Sequence, residues 1–423
     1  MKLHIKNGRL IDPAAGHDAP ADLFVAEGRI VGRGQAPEGF VADRVIDAAG
    51  LIVAPGLVDL SARLREPGHE GALKREMAAA LAGGVTGLAC PPDTDPPIDE
   101  PSLVRELRQR SREAKGARLY PVGALTVGLA GETLAEIETL AEVGCVAFAQ
   151  TGRLPRDNRL LYQALRYAKT HELPVWLRPL DASLTGSGVA ASGPVAGRLG
   201  LPGVPVAAET VALQTILELM RETGARVHLR RLSSASGLDI VRAAKREGLP
   251  LTAEVGIHHV HLTDVDIGYF DTAYRLDPPL RSQRDREAIR AALADGTLDA
   301  ISSDHAPCSI DAKLRPFEEA KPGATGLEVL LPLTLKWAHE TRTPLVDALA
   351  KVTSASARVL REDTGTLAVG AKADVVVFDP AAPWRVGADT LVSAGKNSPY
   401  SGLELEGRVC FTIVGGELRF ERR

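Results

Sequence analysis

The chain has 423 residues, of which 45% are hydrophobic and 25% charged, and its formal net charge is −4 at pH 7. This composition is typical of a globular protein with room for one large domain and a smaller one, and it excludes a largely disordered chain. Because the sequence has neither a basic tail nor a block of Lys and Arg, it favours neither nucleic acid nor an anionic membrane as a partner.

The first 53 residues predict a small antiparallel sheet. Short β-type runs, such as residues 3–5 and 29–31, alternate with Gly, Pro and Asp turns, a spacing that indicates strands rather than helices. The chain shows no apolar stretch of signal-peptide type at its start and no run that approaches the ~20 apolar residues of a membrane span. We therefore expect a cytoplasmic protein.

From residue 54 to residue 364, β-type and helical runs alternate about eight times, the pattern of a (β/α)8 barrel. The predicted strands span residues 57–60, 87–90, 117–122, 145–148, 175–177, 226–232, 251–255 and 298–302. The 3.6-residue periodicity predicts helices at residues 103–114, 134–143, 160–170, 209–223, 238–247 and 286–295. In such a barrel the active site lies where the strands end, so the residues that follow each run are the candidates.

Four motifs carry a resemblance to a known family. They are Pro55-Gly-Leu-Val-Asp59, Asp277-Pro-Pro-Leu-Arg-Ser282, Ser303-Asp-His-Ala-Pro307 and Gly326-Leu-Glu328. This set closely resembles dihydroorotase, an amidohydrolase of pyrimidine synthesis, and the likeness extends over essentially the whole chain. It implies an amidohydrolase-type (β/α)8 TIM barrel at residues 54–364. It also implies that residues 1–53 and the β-rich segment 365–423 form one composite β-sandwich domain.

The resemblance also implies where metal ligands would stand. In the family, imidazoles and carboxylates at the strand ends hold a divalent ion that activates water. The corresponding positions in this chain are Ser61, Arg63, Gln150, Thr151, Arg178, Arg231 and Asp304. Only Asp304 matches the family. A guanidinium has no lone pair to donate and keeps its charge, so the three arginines would repel a dication. The sequence therefore predicts no catalytic metal and no other cofactor.

Four further positions correspond to substrate contacts in the family. Arg65, which grips the substrate carboxylate there, is retained, whereas Asp93 and Asp277 replace amides and Cys308 replaces a histidine. The two carboxylates would repel a dicarboxylate substrate. We expect the arginines and aspartates, with Asp304, to pair in a buried ionic network that fills the vacated pocket.

Other interpretations of these residues stay open at this point. The arginines are alternatively solvated residues at the rim, or a site for a phosphate or carboxylate. His258, His259 and His261 look like a metal cluster, although the family keeps the first two in a structural role. Cys308 is also a candidate nucleophile beside His305 and Asp304.

An intact scaffold with substituted ligand positions predicts a non-catalytic dihydroorotase homologue, so we expect the chain not to be an enzyme. Bacterial homologues of this kind associate with aspartate transcarbamoylase. The resemblance implies that the catalytic chain of that enzyme is the partner, and that the protein is a structural subunit that forms homo- and hetero-oligomers. One alternative is a metal-independent or atypical cyclic amidohydrolase of dihydroorotase or hydantoinase type, with Asp304 as its base. Another is a binding protein that senses an anion such as a nucleotide.

Overall fold

A computed structural model of the protein describes residues 1–64 and 71–422. Eight strands form one sheet in chain order, and every neighbouring pair is parallel. They are β1 (Leu57–Asp59), β2 (Val85–Cys90), β3 (Arg118–Ala124), β4 (Ala147–Gln150), β5 (Val175–Leu177), β6 (Val227–Leu229), β7 (Leu251–Gly256) and β8 (Ala300–Ser302). The predicted (β/α)8 barrel is confirmed, and each predicted strand is present with slightly shifted ends.

Helices surround the sheet and bury one face each against it. The helix Asn158–Thr170, for example, begins where the Asp157 carboxylate accepts a hydrogen bond from the N–H of Arg159 at 2.8 Å, and it buries Leu161 and Leu165. All six predicted helices are present. The longer helices are Ala72–Ala82, Pro101–Glu113, Asn158–Thr170, Ala207–Thr223, Ala235–Glu247, Gln283–Ala294 and Leu330–Thr341; the shorter are Ile137–Glu142, Ala182–Thr185, Pro194–Leu199, Ile257–His261, Leu345–Ala350 and Ser354–Leu360. No helix in the described part of the chain combines the length and the apolar character needed to cross a membrane.

Strands from both ends of the chain share a second structure beside the barrel. One sheet has the strand order Glu417–Glu421, Glu404–Val414, Val375–Arg385, Ile52–Pro55, Arg9–Asp12, His17–Pro20, and the other has the order Arg29–Arg33, Leu23–Ala26, Leu3–Lys6, Arg44–Asp47. A buried cluster that includes Leu3, Leu23, Val375 and Ile413 lies between them. The two sheets therefore form the sandwich expected from both chain ends.

The antiparallel character predicted for the first 53 residues is wrong in part. Leu3–Lys6 pairs with Arg44–Asp47 in parallel, and Arg9–Asp12 pairs with Ile52–Pro55 in parallel. Both pairings join segments that are separated by roughly 40 residues of chain, and the local sequence pattern holds no signal for the direction of such non-local pairs.

A small set of hydrogen bonds closes the barrel. Within the described residues no strand ladder joins β8 to β1; instead Ala62 and His305, just beyond the two strands, form an isolated parallel bridge. The N–H of Arg63 donates to the carbonyl of His305 at 3.0 Å. Below them the Asp59 carboxylate accepts from the N–H and hydroxyl of Ser303 at 2.7 and 2.5 Å. Residues 61–63 and 303–305 are thereby held side by side.

Asp59 links the stability of this closure to pH. Burial raises its pKa to about 6, above the 3.8 of an unperturbed aspartate. Between pH 3.8 and pH about 6, the folded state therefore binds more protons than the unfolded state. The stability that this carboxyl group contributes is lost as the pH rises through that range. In Asp59→Asn this loss is absent. We expect the stability of the variant relative to the wild type to increase by up to about 3 kcal/mol from about pH 4 to pH 7.

Urea denaturation at several pH values measures this difference. Asp239→Asn, at a carboxylate exposed on a helix, is the matched control. A difference between Asp59→Asn and wild type that stays constant across the range would contradict the prediction.

Candidate functional site

A cavity of about 440 Å³ opens at the carboxyl ends of the barrel strands, and we name it the mouth cavity. Its charged lining includes Arg63 after β1, Asp93 after β2, Arg231 after β6 and Asp304 after β8, together with Asp277. Because the strands are parallel, their ends converge on one edge and bring together residues that are far apart in sequence.

Asp304 lies between two guanidinium groups. Arg63 donates from Nε and Nη2 to Asp93 Oδ2 at 2.9 and 2.7 Å, and its Nη1 is 3.7 Å from Asp304 Oδ1. Nη2 of Arg231 forms an ion pair with the same Asp304 oxygen. The predicted pairing of arginines with aspartates is thus present, but the network does not fill the pocket, since the mouth cavity remains beside it.

The backbone at this ion pair is unusual. Arg231 and Asp304 have φ values of 56° and 46°, in the left-handed region that non-glycine residues seldom adopt. Such backbone conformations are found mainly where surrounding structure enforces them, often at active sites. Part of that enforcement comes from Glu209, 3% exposed, which accepts four hydrogen bonds from the N–H and hydroxyl groups of Ser233 and Ser234.

Arg178 and Asp277 form a bidentate ion pair. Arg178, 6% exposed after β5, donates from both terminal nitrogens to the two oxygens of Asp277. Burial acts to raise the pKa of Asp277, but the charge of Arg178 outweighs it and holds that pKa well below its usual value. For Arg231, burial and the charge of Arg63 lower the pKa to about 10. Asp277 and Arg231 are therefore charged at neutral pH.

Arg230 is a fourth guanidinium of the site, which sequence reasoning missed. It is 4% exposed, donates from Nη2 to the hydroxyl of Ser61 at 2.8 Å and from Nε to Glu254 at 3.4 Å, and lies 5.7 Å from the centre of the Trp176 ring. Strand alternation predicts that only one of two adjacent arginines points inward. Here β6 ends at Leu229, and the left-handed turn after it allows both to do so.

The other predicted positions have defined places. Gln150 accepts a hydrogen bond from the hydroxyl of Thr126 and donates one to the carbonyl of Leu129, both at 2.8 Å. Thr151, the next residue, is half-buried. Cys308 is buried, and its N–H donates to Asn397. Arg65 lies outside the described residues.

Histidines near the mouth cavity are engaged in structural contacts. His305 Nε2 is 3.0 Å from Glu76 and its Nδ1 accepts from the N–H of Gly326 at 3.1 Å, so neither ring nitrogen is available to activate Cys308. His259 and His261 contact backbone carbonyls. Burial lowers the pKa of His258 to about 3 and that of each of the other two to about 4.

These residues do not fit a divalent metal. Ser61 is bound to Arg230, and guanidinium groups occupy three of the positions that the resemblance assigns to ligands. Across residues 1–64 and 71–422, no group of three or more His, Cys, Asp or Glu side chains is arranged to hold a metal ion. Guanidinium nitrogens cannot serve as ligands. The chemistry of the site has to be derived from its own side chains.

Comparisons with known proteins identify relatives along the whole chain. A family model described as "Amidohydrolase family" matches residues 198–420, and one described as "Dihydro-orotase-like" matches residues 50–236. A dihydroorotase-like protein of Pseudomonas aeruginosa is 44% identical over 423 residues and covers 100% of both chains. A dihydroorotase of Geobacter sp. (strain M21) is 41% identical over 428 residues, again with 100% coverage of both.

Solved structures show the same fold. An L-hydantoinase (dihydropyrimidinase) from Arthrobacter aurescens matches with a TM-score of 0.88 over 99% of this chain and 96% of its own, at 23% sequence identity.

The relatives overturn the prediction that the chain is not an enzyme. The Geobacter protein, named a dihydroorotase, shares 41% of its sequence over its full length, which points to a catalytic amidohydrolase. The prediction equated the loss of a metal-binding donor set with the loss of catalysis. A carboxylate, that of Asp304, and an open cavity are present at the strand ends.

The pairing of Arg178 with Asp277 provides a test of the charge network. In Asp277→Ala the buried guanidinium of Arg178 loses its carboxylate, and we expect the free energy of unfolding to fall by about 2 kcal/mol, since Asp277 is partly exposed. The double variant Arg178→Met/Asp277→Ala should lose less than the sum of the single variants. Urea denaturation of the four proteins gives the coupling energy. Glu218→Ala, in an exposed pair with Arg221, is the control, and additive effects at the mouth cavity would refute the network.

Proposed function

Because the chain belongs to the dihydroorotase-like amidohydrolases, we propose that it opens or closes a cyclic amide or ureide ring in the mouth cavity without a resident divalent metal. The observation that carries this proposal is the position of Asp304, a carboxylate flanked by Arg63 and Arg231 at the edge of a cavity of about 440 Å³. A cavity of this volume is suited to a small-molecule substrate.

The side chains supply the functions that ring opening requires. Asp304 accepts a proton from the attacking water, whose oxygen forms a bond to the ring carbonyl carbon. Arg63 and Arg231 donate hydrogen bonds to the carbonyl oxygen as it becomes negatively charged. When the carbon–nitrogen bond breaks, Asp304 returns its proton to the leaving nitrogen. Ring closure follows the same steps in reverse.

Charge pairing also makes the cavity compatible with an anionic substrate. Asp93 and Asp277 replace amides and were expected to repel a dicarboxylate. Each is hydrogen-bonded to an arginine, Arg63 and Arg178 respectively, so much of its negative charge is compensated locally. This supports a cyclic amide or ureide that bears a carboxylate as the substrate class.

Turnover tests the first proposal. We expect hydrolysis of dihydroorotate or hydantoin to continue in the presence of excess chelator, and Asp304→Asn to lower kcat by about a hundredfold or more, because the proton acceptor is removed. Ultraviolet absorbance of the ring amide follows the reaction, and Asp347→Asn, at an exposed surface carboxylate, is the matched control. Activity that disappears with chelator and returns with zinc would overturn metal independence. Equal rates in wild type and Asp304→Asn would trace the turnover to a contaminant.

We further propose that the chain assembles with the catalytic chain of aspartate transcarbamoylase as a structural subunit in pyrimidine biosynthesis. This role is compatible with turnover at the mouth cavity. The resemblance to bacterial homologues that associate with this enzyme suggests the partner, and a surface feature supports an interface. Four large apolar side chains, Val265, Tyr269, Ile310 and Leu314, are 62 to 89% exposed.

These four side chains belong to two segments that lie against each other. Thr272 donates to the carbonyl of Lys313 at 2.7 Å, and Lys313 donates to the carbonyl of Thr272 at 2.9 Å. The four exposed apolar side chains therefore lie on neighbouring segments that follow β7 and β8, and we name these segments the apolar loop pair. Apolar surface concentrated in this way is typical of protein–protein contact sites.

Co-expression with aspartate transcarbamoylase tests the assembly. We expect the two chains to elute together in size-exclusion chromatography, and Tyr269→Ser/Leu314→Glu to separate them, because a charge placed in an apolar interface has no partner there. Val369→Glu, at an apolar side chain 63% exposed elsewhere on the chain, should leave the complex intact. Separate elution of the wild-type proteins would remove the proposal.

A further inference from the structure

A second cavity lies at the opposite end of the barrel from the mouth. It has a volume of about 630 Å³, and we name it the base cavity. Its walls come from the end of the helix Pro101–Glu113, the segments that precede β3 and β4, and the final strands Glu404–Val414 and Glu417–Glu421. The sandwich thus covers the amino-terminal ends of these barrel strands. The base cavity is the space between the sandwich and those strand ends.

The base cavity carries a surplus of positive charge although the chain as a whole has a net charge of −4. Among the described residues, its lining holds two carboxylates, Glu362 and Glu417, and six cationic side chains: Arg108, Arg112, Lys115, Arg118, Lys372 and Arg419. Three of the six have a carboxylate within ion-pair distance, in the pairs Arg118–Asp374, Lys372–Glu362 and Arg419–Glu417.

The other three cations have no carboxylate partner within the described residues. Arg108 donates from Nη1 to the carbonyl of Val143 at 2.7 Å, and Arg112 and Lys115 are exposed at the rim. All three come from one stretch of chain, at the end of the helix Pro101–Glu113 and just after it. Their charges therefore reinforce one another at one wall of the cavity.

Two buried donors in the lining are left without a hydrogen-bond partner in the described part of the chain. One is the hydroxyl of Tyr120 in β3, a residue only 7% exposed, and the other is Nε of Arg419. Burial, with the charges of Glu362 and Asp374, raises the pKa of Tyr120, so this hydroxyl is a donor at neutral pH. Buried donors are almost always paired, and an unpaired one requires an explanation. A ligand that brings hydrogen-bond acceptors into the cavity would pair these donors.

We propose that the base cavity binds a small molecule that carries one or more phosphate groups. The lining offers guanidinium, ammonium and phenol donors, and guanidinium groups match the arrangement of phosphate oxygens. The volume is sufficient for a nucleotide. This site is separate from the mouth cavity and independent of the reaction proposed there.

Isothermal titration calorimetry of the full chain with pyrophosphate and with ATP tests the site. Arg112→Glu/Lys115→Glu should weaken binding about a hundredfold, roughly tenfold for each charged hydrogen bond lost. Both side chains are exposed, so the fold is retained. Arg153→Glu/Arg156→Glu makes the same change in net charge at exposed residues away from the cavity and should bind as the wild type does.

Tyr120→Phe separates a ligand contact from a structural role. Because its hydroxyl has no hydrogen-bond partner among the residues that the structure describes, the variant should keep or exceed wild-type stability in urea while its affinity for pyrophosphate falls roughly tenfold. Tighter binding of ATP than of pyrophosphate would assign part of the cavity to the nucleoside.

Three results would overturn the site. They are the absence of binding by either compound, equal affinities in the charge-reversed variant and its control, and loss of binding in Arg63→Gln, which would assign the anion to the mouth cavity.

Discussion

The barrel depends on a closure that, in the described part of the chain, has no strand ladder. The Asp59 carboxylate holds Ser303, and Ala62 bridges His305, so the first and last strands meet through a few hydrogen bonds. A buried carboxylate is unfavourable unless donors surround it, which is why this one has a raised pKa and two hydrogen bonds from a single serine. Asp59 holds in place the chain on either side of the mouth cavity, including Asp304.

Charge balance is the second constraint on the mouth. A guanidinium taken out of water requires a carboxylate beside it, because an uncompensated buried charge is strongly destabilising. Within residues 1–64 and 71–422, four arginines follow β1, β5 and β6, and they meet this requirement with four acidic residues: Asp93, Asp277, Glu254 and Asp304. Asp304 differs from the others because it lies within ion-pair distance of two guanidinium groups, those of Arg63 and Arg231, at the edge of the cavity.

The barrel could be predicted from sequence because it is encoded locally. Runs of small and β-branched residues alternate with amphipathic helices, and strand ends identify the candidate site residues. Arg230 was missed because its inward position depends on the left-handed turn at Arg231, which the alternation of a strand does not reveal. The parallel pairings in the sandwich were missed because they join distant segments. The prediction that the chain is not an enzyme was wrong because it treated the loss of metal ligands as decisive and kept Asp304 as a base only in the alternative interpretation.

The paired mouth has a consequence for the history of the site. Where a buried arginine relies on one acidic partner, as Arg178 does on Asp277, loss of that partner leaves the guanidinium with the full cost of desolvation. Neutral drift through such an intermediate is therefore disfavoured, and arginine and acid are expected to be inherited and replaced together. The pairs act as units of evolutionary change, so a return to imidazole ligands would require several coordinated substitutions.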